Sequence, residues 1–293
     1  MKTEWDYTNL AEAYLHRPEY APSAIAEMLA VAGVQTGDAA CDVGAGAAHL
    51  TLELAKFGLN VWAVEPNDAM RANGIRRTEQ YPTVQWFEGV GENTGMESGK
   101  FDLVTFGSSF NVCDRQQALA ETNRILKPNG WFACMWNHRD LDDPVQQAIE
   151  DVIKKNIPDY SYGTRREDQT EVIEQSGLFG AVKFISGRVE HQLDAESFIE
   201  GWKSHGTVYR QSPEVFEKII SEIRQVVEAL HQDTITVPYT TRIWMAQNVG
   251  GEAADTHTHT HTHTHTHTHT HTHTHTHTPL TQTAVLGKPS AVK

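Results

Sequence analysis

The chain has 293 residues, of which 39% are hydrophobic and 9% aromatic, so it can bury the core of one large or two small α/β domains. Its formal net charge of -14 comes entirely from the part before residue 251, because the charges beyond that point cancel. An acidic body repels phosphate backbones and anionic lipid, which argues against nucleic acid or a membrane surface as a partner.

Cysteine usage and hydropathy indicate the compartment. Cys41, Cys113 and Cys134 are odd in number and show no C-x-x-C spacing, which is typical of a reducing environment. The first residues hold no apolar run of signal-peptide length, and no stretch is long and apolar enough to span a membrane. We therefore expect a cytoplasmic protein, monomeric or homodimeric, that acts on a small molecule.

Strand and helix patterns alternate along the first half of the chain. A helix is predicted from Pro22, with Ile25, Met28 and Leu29 on one face and Gly33 as its stop. This alternation predicts a mostly parallel sheet covered by helices on both faces. Further strands are predicted at residues 39–43, 61–64, 84–87, 101–106 and 131–136, and further helices at residues 50–57, 68–77 and 116–126.

The pattern loosens after about residue 140. A long helix at residues 213–230 and strands at residues 181–189 and 239–246 are predicted to complete the sheet and to carry a helical cap. From Thr256 to Thr278 the chain alternates threonine and histidine, and without apolar residues this tail is predicted to be disordered. Its imidazoles can chelate metal ions as a histidine-rich tag does, and no resident metal is predicted.

Small residues mark the turn between the first strand and the next helix, where the sequence reads Asp42-Val-Gly44-Ala-Gly46-Ala-Ala48. Glycines let a ligand approach the backbone closely, and a helix N-terminus offers free N–H groups to an anion. Glu65 ends the second strand, where a carboxylate can accept hydrogen bonds from two ribose hydroxyls. Together these features predict an adenosyl-type binding site.

Dinucleotide dehydrogenases also combine a glycine loop with an acid on the second strand. Their G-x-G-x-x-G pattern would need its third glycine at position 49, where this chain has His49. Asp42 would repel a pyrophosphate but can receive the ammonium of an amino-acid cofactor. The pattern therefore favours a cationic amino-acid cofactor over NAD.

These motifs resemble those of the class I S-adenosylmethionine (SAM)-dependent methyltransferases. D-x-G-x-G-x-[GA] at residues 42–48 is similar to their motif I, and Val-Glu-Pro at residues 64–66 is similar to their second-strand acid. The resemblance extends over residues 5–248 and implies SAM as cofactor and a Rossmann-like, mostly parallel sheet with a helical cap. Segments similar to the branch of trans-aconitate methyltransferase-like and ubiquinone-methyltransferase-like enzymes are residues 14–20, 87–93, 101–110, 124–130 and 136–140.

The resemblance also implies roles for single residues. The glycine loop would hold the methionyl end of SAM, Glu65 the ribose, and Gly91 with Glu92 the adenine region. Two positions depart from the family pattern: Val90 stands where many relatives carry an acid, and Asn111 lies where relatives often show a His-Trp pair. The implied cofactor residues are Tyr14, Arg17, Asp42, Gly44, Gly46, Glu65, Pro66, Gly91, Glu92 and Gly107.

Methyl transfer from a sulfonium requires mainly alignment of the acceptor and exclusion of water. A carboxylate acceptor needs no base, whereas an amine or hydroxyl gains from one. Asn111, His138 and His205 are the candidates for contacting the acceptor, and a purely structural role for either histidine is the alternative. The candidate substrate contacts are Trp136, Arg139, Trp202 and Tyr209, with packing or structural ion pairing as the alternative for each.

The sequence thus predicts a SAM-dependent methyltransferase that modifies oxygen or nitrogen of a small metabolite. The alternatives are a non-catalytic SAM-binding regulator or partner protein, and an NAD-dependent oxidoreductase. A nucleic-acid methyltransferase is disfavoured by the net charge and by the lack of an N-P-P-Y or D-P-P-Y motif. The predicted organisation is N-terminal lid helices at residues 1–35, a SAM-binding core at 36–140, a C-terminal part with the substrate cap at 141–248, and the tail at 249–293.

Overall fold

The computed structural model describes residues 1–3 and 6–249. The Thr-His repeat predicted to be disordered lies outside these residues. No helix in the described part of the chain is long and apolar enough to cross a membrane.

Seven strands form one sheet in the order β3-β2-β1-β4-β5-β7-β6. The pairs from β3 to β5 are parallel, while β7 runs antiparallel to both β5 and β6. The predicted fold class, a mostly parallel α/β sheet, is therefore confirmed. The strands are β1 Ala39–Val43, β2 Asn60–Val64, β3 Val84–Phe87, β4 Phe101–Gly107, β5 Leu126–Arg139, β6 Lys183–Asp194 and β7 Thr234–Gln247.

Side-chain caps and glycines mark the ends of several helices. The Asn67 side chain accepts a hydrogen bond from the backbone N–H of Met70 at a helix start, and Gly33 and Gly58 adopt left-handed conformations at helix ends. The helices are α1 Ala11–Tyr14, α2 Pro22–Ala32, α3 His49–Phe57, α4 Asp68–Arg77, α5 Arg115–Ile125, α6 Pro144–Asn156, α7 Thr170–Gln175, α8 Ala195–Lys203, α9 Gly206–Gln211 and α10 Pro213–Ala229.

Both faces of the sheet are covered, as the near-continuous apolar strands require. Along β4, Leu103 packs into a core cluster with α2 and α3 on one face, and Val104 and Phe106 pack into a second cluster with α5 and α7 on the other. All three side chains are fully buried. The alternation along this central strand thus fixes which helices lie on which side.

A third apolar cluster lies outside the sheet and forms the cap predicted from the sequence pattern. Helices α6, α8 and α10 bury Ile149, Phe198 and Ile219 against one another and against the start of β7. The cap residues Phe198 and Trp202 line a cavity beside the glycine loop. The cap therefore encloses the carboxyl edge of the sheet, where parallel α/β folds bind ligands.

Candidate active site

The loop between β1 and α3 depends on glycine at two positions. Gly44 and Gly46 have φ values of +67° and +57°, which side-chain-bearing residues rarely adopt. A Cβ atom on Gly44 would lie 2.4 Å from Cβ of Ser109, and the Ser109 hydroxyl donates a hydrogen bond to the Val43 carbonyl at 2.7 Å. At Gly44 the loop therefore passes so close to the segment that follows β4 that no side chain fits, which leaves the loop backbone exposed to a ligand.

Asp42 is buried at the end of β1 beneath this loop. Its two carboxylate oxygens accept hydrogen bonds from the hydroxyls of Thr51, at 2.7 Å, and Thr105, at 2.9 Å. Burial raises the pKa of Asp42 to about 6, although both hydroxyls act in the opposite direction. Asp42 thus links β1 to α3 and β4, and it also lines the cavity on the cap side.

Glu65 follows β2 and holds the loop from the neighbouring strand. Its carboxylate accepts hydrogen bonds from the backbone N–H of Gly46 at 3.0 Å and of Asn67 at 2.6 Å. Burial raises the pKa of Glu65 to about 7, and the backbone donors only partly offset that effect. Because each carboxylate oxygen has two lone pairs, Glu65 retains acceptor capacity for ligand hydroxyls.

A cavity of about 410 Å³ opens beside Glu65, and we call it the Glu65 cavity. Glu92, on the far wall, accepts a hydrogen bond from the backbone N–H of Asp114 at 3.0 Å. Val90 also lines this wall, so the position that departs from the family pattern faces the cavity. The sequence-predicted cofactor residues brought together here are Tyr14, Gly44, Gly46, Glu65, Pro66, Gly91 and Glu92.

A second, smaller cavity of about 80 Å³ lies between the glycine loop and the cap, and we call it the Arg165 cavity. It contains the three remaining predicted cofactor residues, Arg17, Asp42 and Gly107. Four residues line both cavities, and the two spaces therefore meet at the glycine loop. The shared residues are Tyr14, Gly44, Gly46 and Ser108.

The two predicted histidines occupy different environments. His205 lines the Arg165 cavity and stacks on Trp202, with ring centroids 4.9 Å apart and planes inclined by 15°. Burial and the nearby arginines lower the pKa of His205 well below its usual value, so its ring is neutral. His138 is buried with its Nε2 3.0 Å from the Arg165 carbonyl, and it is not among the residues lining either cavity.

The other residues predicted to contact the acceptor lie in different places. Asn111 accepts a hydrogen bond from the Trp136 indole N–H at 2.9 Å, and both residues line a small recess next to His205. Trp202 lines the Arg165 cavity. Tyr209 instead packs edge-on against Phe216 at 5.3 Å between ring centroids and lines neither cavity.

Sequence reasoning identified Arg139 but missed two arginines beside it. Arg139 is 7% exposed and donates to Glu150, which is 1% exposed, at 2.9 Å. Arg165 and Arg166 lie in a short 3-10 turn at Gly163–Arg166 and line the same cavity. An Arg-Arg pair in a polar segment was the only available signal, because these residues lie more than a hundred positions from the glycine-loop residues that line the same cavity.

Comparisons with known proteins bear on this arrangement. Residues 41–134 match the family described as "Methyltransferase domain". This part of the chain is similar to a methyltransferase domain. The matched residues run from β1 into β5 and contain the glycine loop, Glu65 and Glu92.

Curated methyltransferases are similar to about half of this chain. Demethylmenaquinone methyltransferase of Staphylococcus saprophyticus is 30% identical over 148 residues, or 49% of this chain and 64% of the relative. The chain spans about half of an uncharacterised methyltransferase of Mycobacterium tuberculosis, Rv3342, with 32% identity over 124 residues, 42% of this chain and 48% of that relative.

The fold is shared with solved structures at low identity. The YcgJ protein of Bacillus subtilis superposes with a TM-score of 0.50 and 16% identity over 77% of this chain and 98% of that one. Phosphoethanolamine N-methyltransferase 2 of Haemonchus contortus, solved in complex with SAM, superposes with a TM-score of 0.50 and 17% identity. The match covers 84% of this chain and 58% of that one. These likenesses show a shared fold.

Proposed function

We propose that this chain transfers a methyl group from SAM to an oxygen or nitrogen atom of a small molecule. The observation that carries the proposal is the meeting of two cavities at one glycine loop. The Glu65 cavity is large enough for an adenosyl ligand, and the Arg165 cavity provides a separate space for an acceptor. The methyl donor and the acceptor would approach each other where the two cavities share lining residues, which are Tyr14, Gly44, Gly46 and Ser108.

The residues of the Glu65 cavity fit SAM. Glu65 presents spare carboxylate lone pairs for ribose hydroxyls, and the apolar side chains of Val90 and Met70 offer a surface for a base. The close approach of Gly44 to Ser109 leaves backbone rather than side chain at the loop surface. Asp42 is a buried carboxylate on the cap side, where a cationic amino-acid group would be stabilised.

When bound, SAM supplies a methyl group on a sulfonium; transfer breaks the S–CH3 bond with its electron pair left on sulfur, and a new bond forms to the acceptor. The chain's contribution is to align the acceptor and to exclude water. An amine or hydroxyl acceptor also releases a proton. His205 lines the Arg165 cavity with a neutral ring and is the candidate to receive that proton.

The rival functions predict different ligands. An NAD-dependent oxidoreductase would have to place a pyrophosphate on a loop with Asp42 beneath it and His49 at the position of the third glycine. A non-catalytic SAM-binding protein would bind SAM but would transfer its methyl group to no compound.

The test is a labelling assay. The purified full chain is incubated with methyl-labelled SAM and a pool of small metabolites, and mass spectrometry measures the label in each compound. We expect label in one compound or a few, together with production of S-adenosylhomocysteine, and neither with the Glu65→Ala variant. SAM binding without transfer to any compound in pools from several sources would contradict the proposal and favour the non-catalytic alternative.

A further inference from the structure

We propose that the Arg165 cavity binds a small molecule bearing a carboxylate or phosphate group, with Arg165 and Arg166 as the residues that bind this group. The inference rests on the proposed function, because it names the chemical class of the methyl acceptor. It is carried by the charges, the unpaired nitrogens and the fixed geometry of this cavity.

The charge balance of the cavity wall is strongly positive. Four arginines line it, namely Arg17, Arg139, Arg165 and Arg166, and Asp42 is the only acid among the described residues that do so. Both oxygens of Asp42 already accept hydrogen bonds from threonine hydroxyls. Arg139 is compensated by Glu150. In residues 1–3 and 6–249, no carboxylate lies within ion-pair distance of the other three guanidinium groups, which leaves an excess of positive charge facing a cavity.

The two arginines of the 3-10 turn also carry unsatisfied donors. The Nε atoms of Arg165 and Arg166 are buried and have no hydrogen-bond partner within the described part of the chain. Burial lowers the pKa of Arg165 to about 10, and the neighbouring Arg17 and Arg166 act in the same direction. A buried charge without a partner is costly, and an anion placed between these groups would offset that cost.

Aromatic contacts hold the guanidinium groups in place. Arg165 and Arg166 lie over the ring of Tyr162, with their Cζ atoms 5.0 Å and 4.3 Å from its centroid. Nη2 of Arg165 is 3.5 Å from Nε2 of His205, whose neutral ring adds no further positive charge. Arginine held in this way is suited to planar, two-point contacts with a carboxylate or phosphate.

The positive cavity also contrasts with the rest of the protein. The chain carries a net charge of -14, so an exposed anion is repelled by most of the surface. This otherwise acidic protein thus gathers arginines without carboxylate partners around one cavity. A ligand anion bound between Arg165 and Arg166 accounts for that placement, and the same cavity would discriminate against neutral or cationic acceptors.

The experiment measures anion binding directly by isothermal titration of the full chain. Malonate and inorganic phosphate are the probes, and malonamide is the neutral counterpart of malonate. We expect malonate, phosphate or both to bind, malonamide not to bind, and the affinity to fall with rising salt. A preference between the two anions assigns the group as carboxylate or phosphate. Malonamide binding as tightly as malonate, or no binding of either anion, would overturn the inference.

Variants locate the site. Arg165→Gln and Arg166→Gln should each weaken anion binding about 10- to 100-fold, the range for a lost charged hydrogen bond. Arg224→Gln is the matched control, since Arg224 pairs with Glu196 on the protein surface and lines neither cavity. Circular dichroism checks folding, and the second arginine provides the test if one variant does not fold. Unchanged anion affinity in both folded variants would refute the assignment.

A SAM titration on the same samples separates the two proposals. If wild type binds SAM and methylates only neutral compounds, the anion inference fails and the proposed function stands. If wild type binds no SAM, the proposed function fails and takes with it the identification of the anion as a methyl acceptor. If both variants keep SAM affinity while losing anion affinity, both proposals are supported.

Discussion

Replacing Asp42 by asparagine should stabilise the ligand-free protein at alkaline pH. The side chain is buried, and its carboxylate accepts hydrogen bonds from Thr51 and Thr105. An asparagine of the same shape can accept from one hydroxyl and donate to the other, which turns to present its oxygen. The substitution therefore removes a buried charge and preserves the hydrogen-bonding network.

The magnitude follows from the raised pKa. Burial moves the pKa of Asp42 from the usual 3.8 to about 6, so the folded state binds a proton more tightly than the unfolded state. By linkage, stability then falls as the pH rises from 3.8 to 6 and stays low above that range, with a total loss of up to about 3 kcal/mol. Asp42→Asn avoids this loss, and we expect a gain of about 1–3 kcal/mol at pH 8.

Urea unfolding of the ligand-free chain at pH 8 and pH 5 measures the effect. The advantage of Asp42→Asn should be largest at pH 8 and should shrink toward pH 5. Asp142→Asn, at an exposed position, is the control and should show no such trend. A gain that does not change with pH, or a loss at pH 8, would refute the argument that the buried charge is destabilising. SAM affinity of the same variant should fall, because Asp42 is expected to stabilise the cofactor's ammonium.

Two further substitutions test the loop and its acidic partner. Glu65→Ala should weaken SAM binding by about 2–4 kcal/mol in isothermal titration. Asp68 is an exposed acid three residues further on, and Asp68→Ala should leave SAM binding unchanged. Equal SAM affinities of Glu65→Ala and wild type would show that Glu65 is not the ribose ligand. Gly44→Ala should lower the urea midpoint of unfolding more than Gly177→Ala does. Both positions have positive φ, but only at Gly44 would a Cβ atom lie against Ser109. Equal losses in the two variants would mean that the structure around Ser109 adjusts to the added Cβ atom at little cost in stability.

Local sequence patterns predicted most elements of the first half closely, but β5 runs over Leu126–Arg139 and so extends beyond the predicted residues 131–136 at both ends. The predicted helix at residues 68–77 coincides with α4, and the predicted strand at 84–87 coincides with β3. These segments are short, strongly periodic and bounded by glycine, proline or a cap, so their limits depend on nearby residues. The contact between the glycine loop and Glu65 was predictable for the same reason, since the two lie on adjacent strands of one unit.

Contacts between distant segments could not be predicted in this way. Thr105 reaches Asp42 only because β4 lies next to β1, and sequence periodicity does not fix strand order. Arg165 and Arg166 line one cavity together with glycine-loop residues that are distant in the sequence. The roles suggested for Asn111, His138 and Tyr209 stay predictions, and the packing of Tyr209 on Phe216 reflects the orientation of α9 in the cap, which its sequence alone does not determine.

The central claim is that the glycine loop and Glu65 form a site for SAM and not for a dinucleotide. Isothermal titration of the full chain with SAM, S-adenosylhomocysteine and NAD tests it most directly. We expect SAM and S-adenosylhomocysteine to bind with micromolar dissociation constants, of order -8 kcal/mol in free energy, and NAD to give no heat of binding. Tight binding of NAD without binding of SAM would contradict the account.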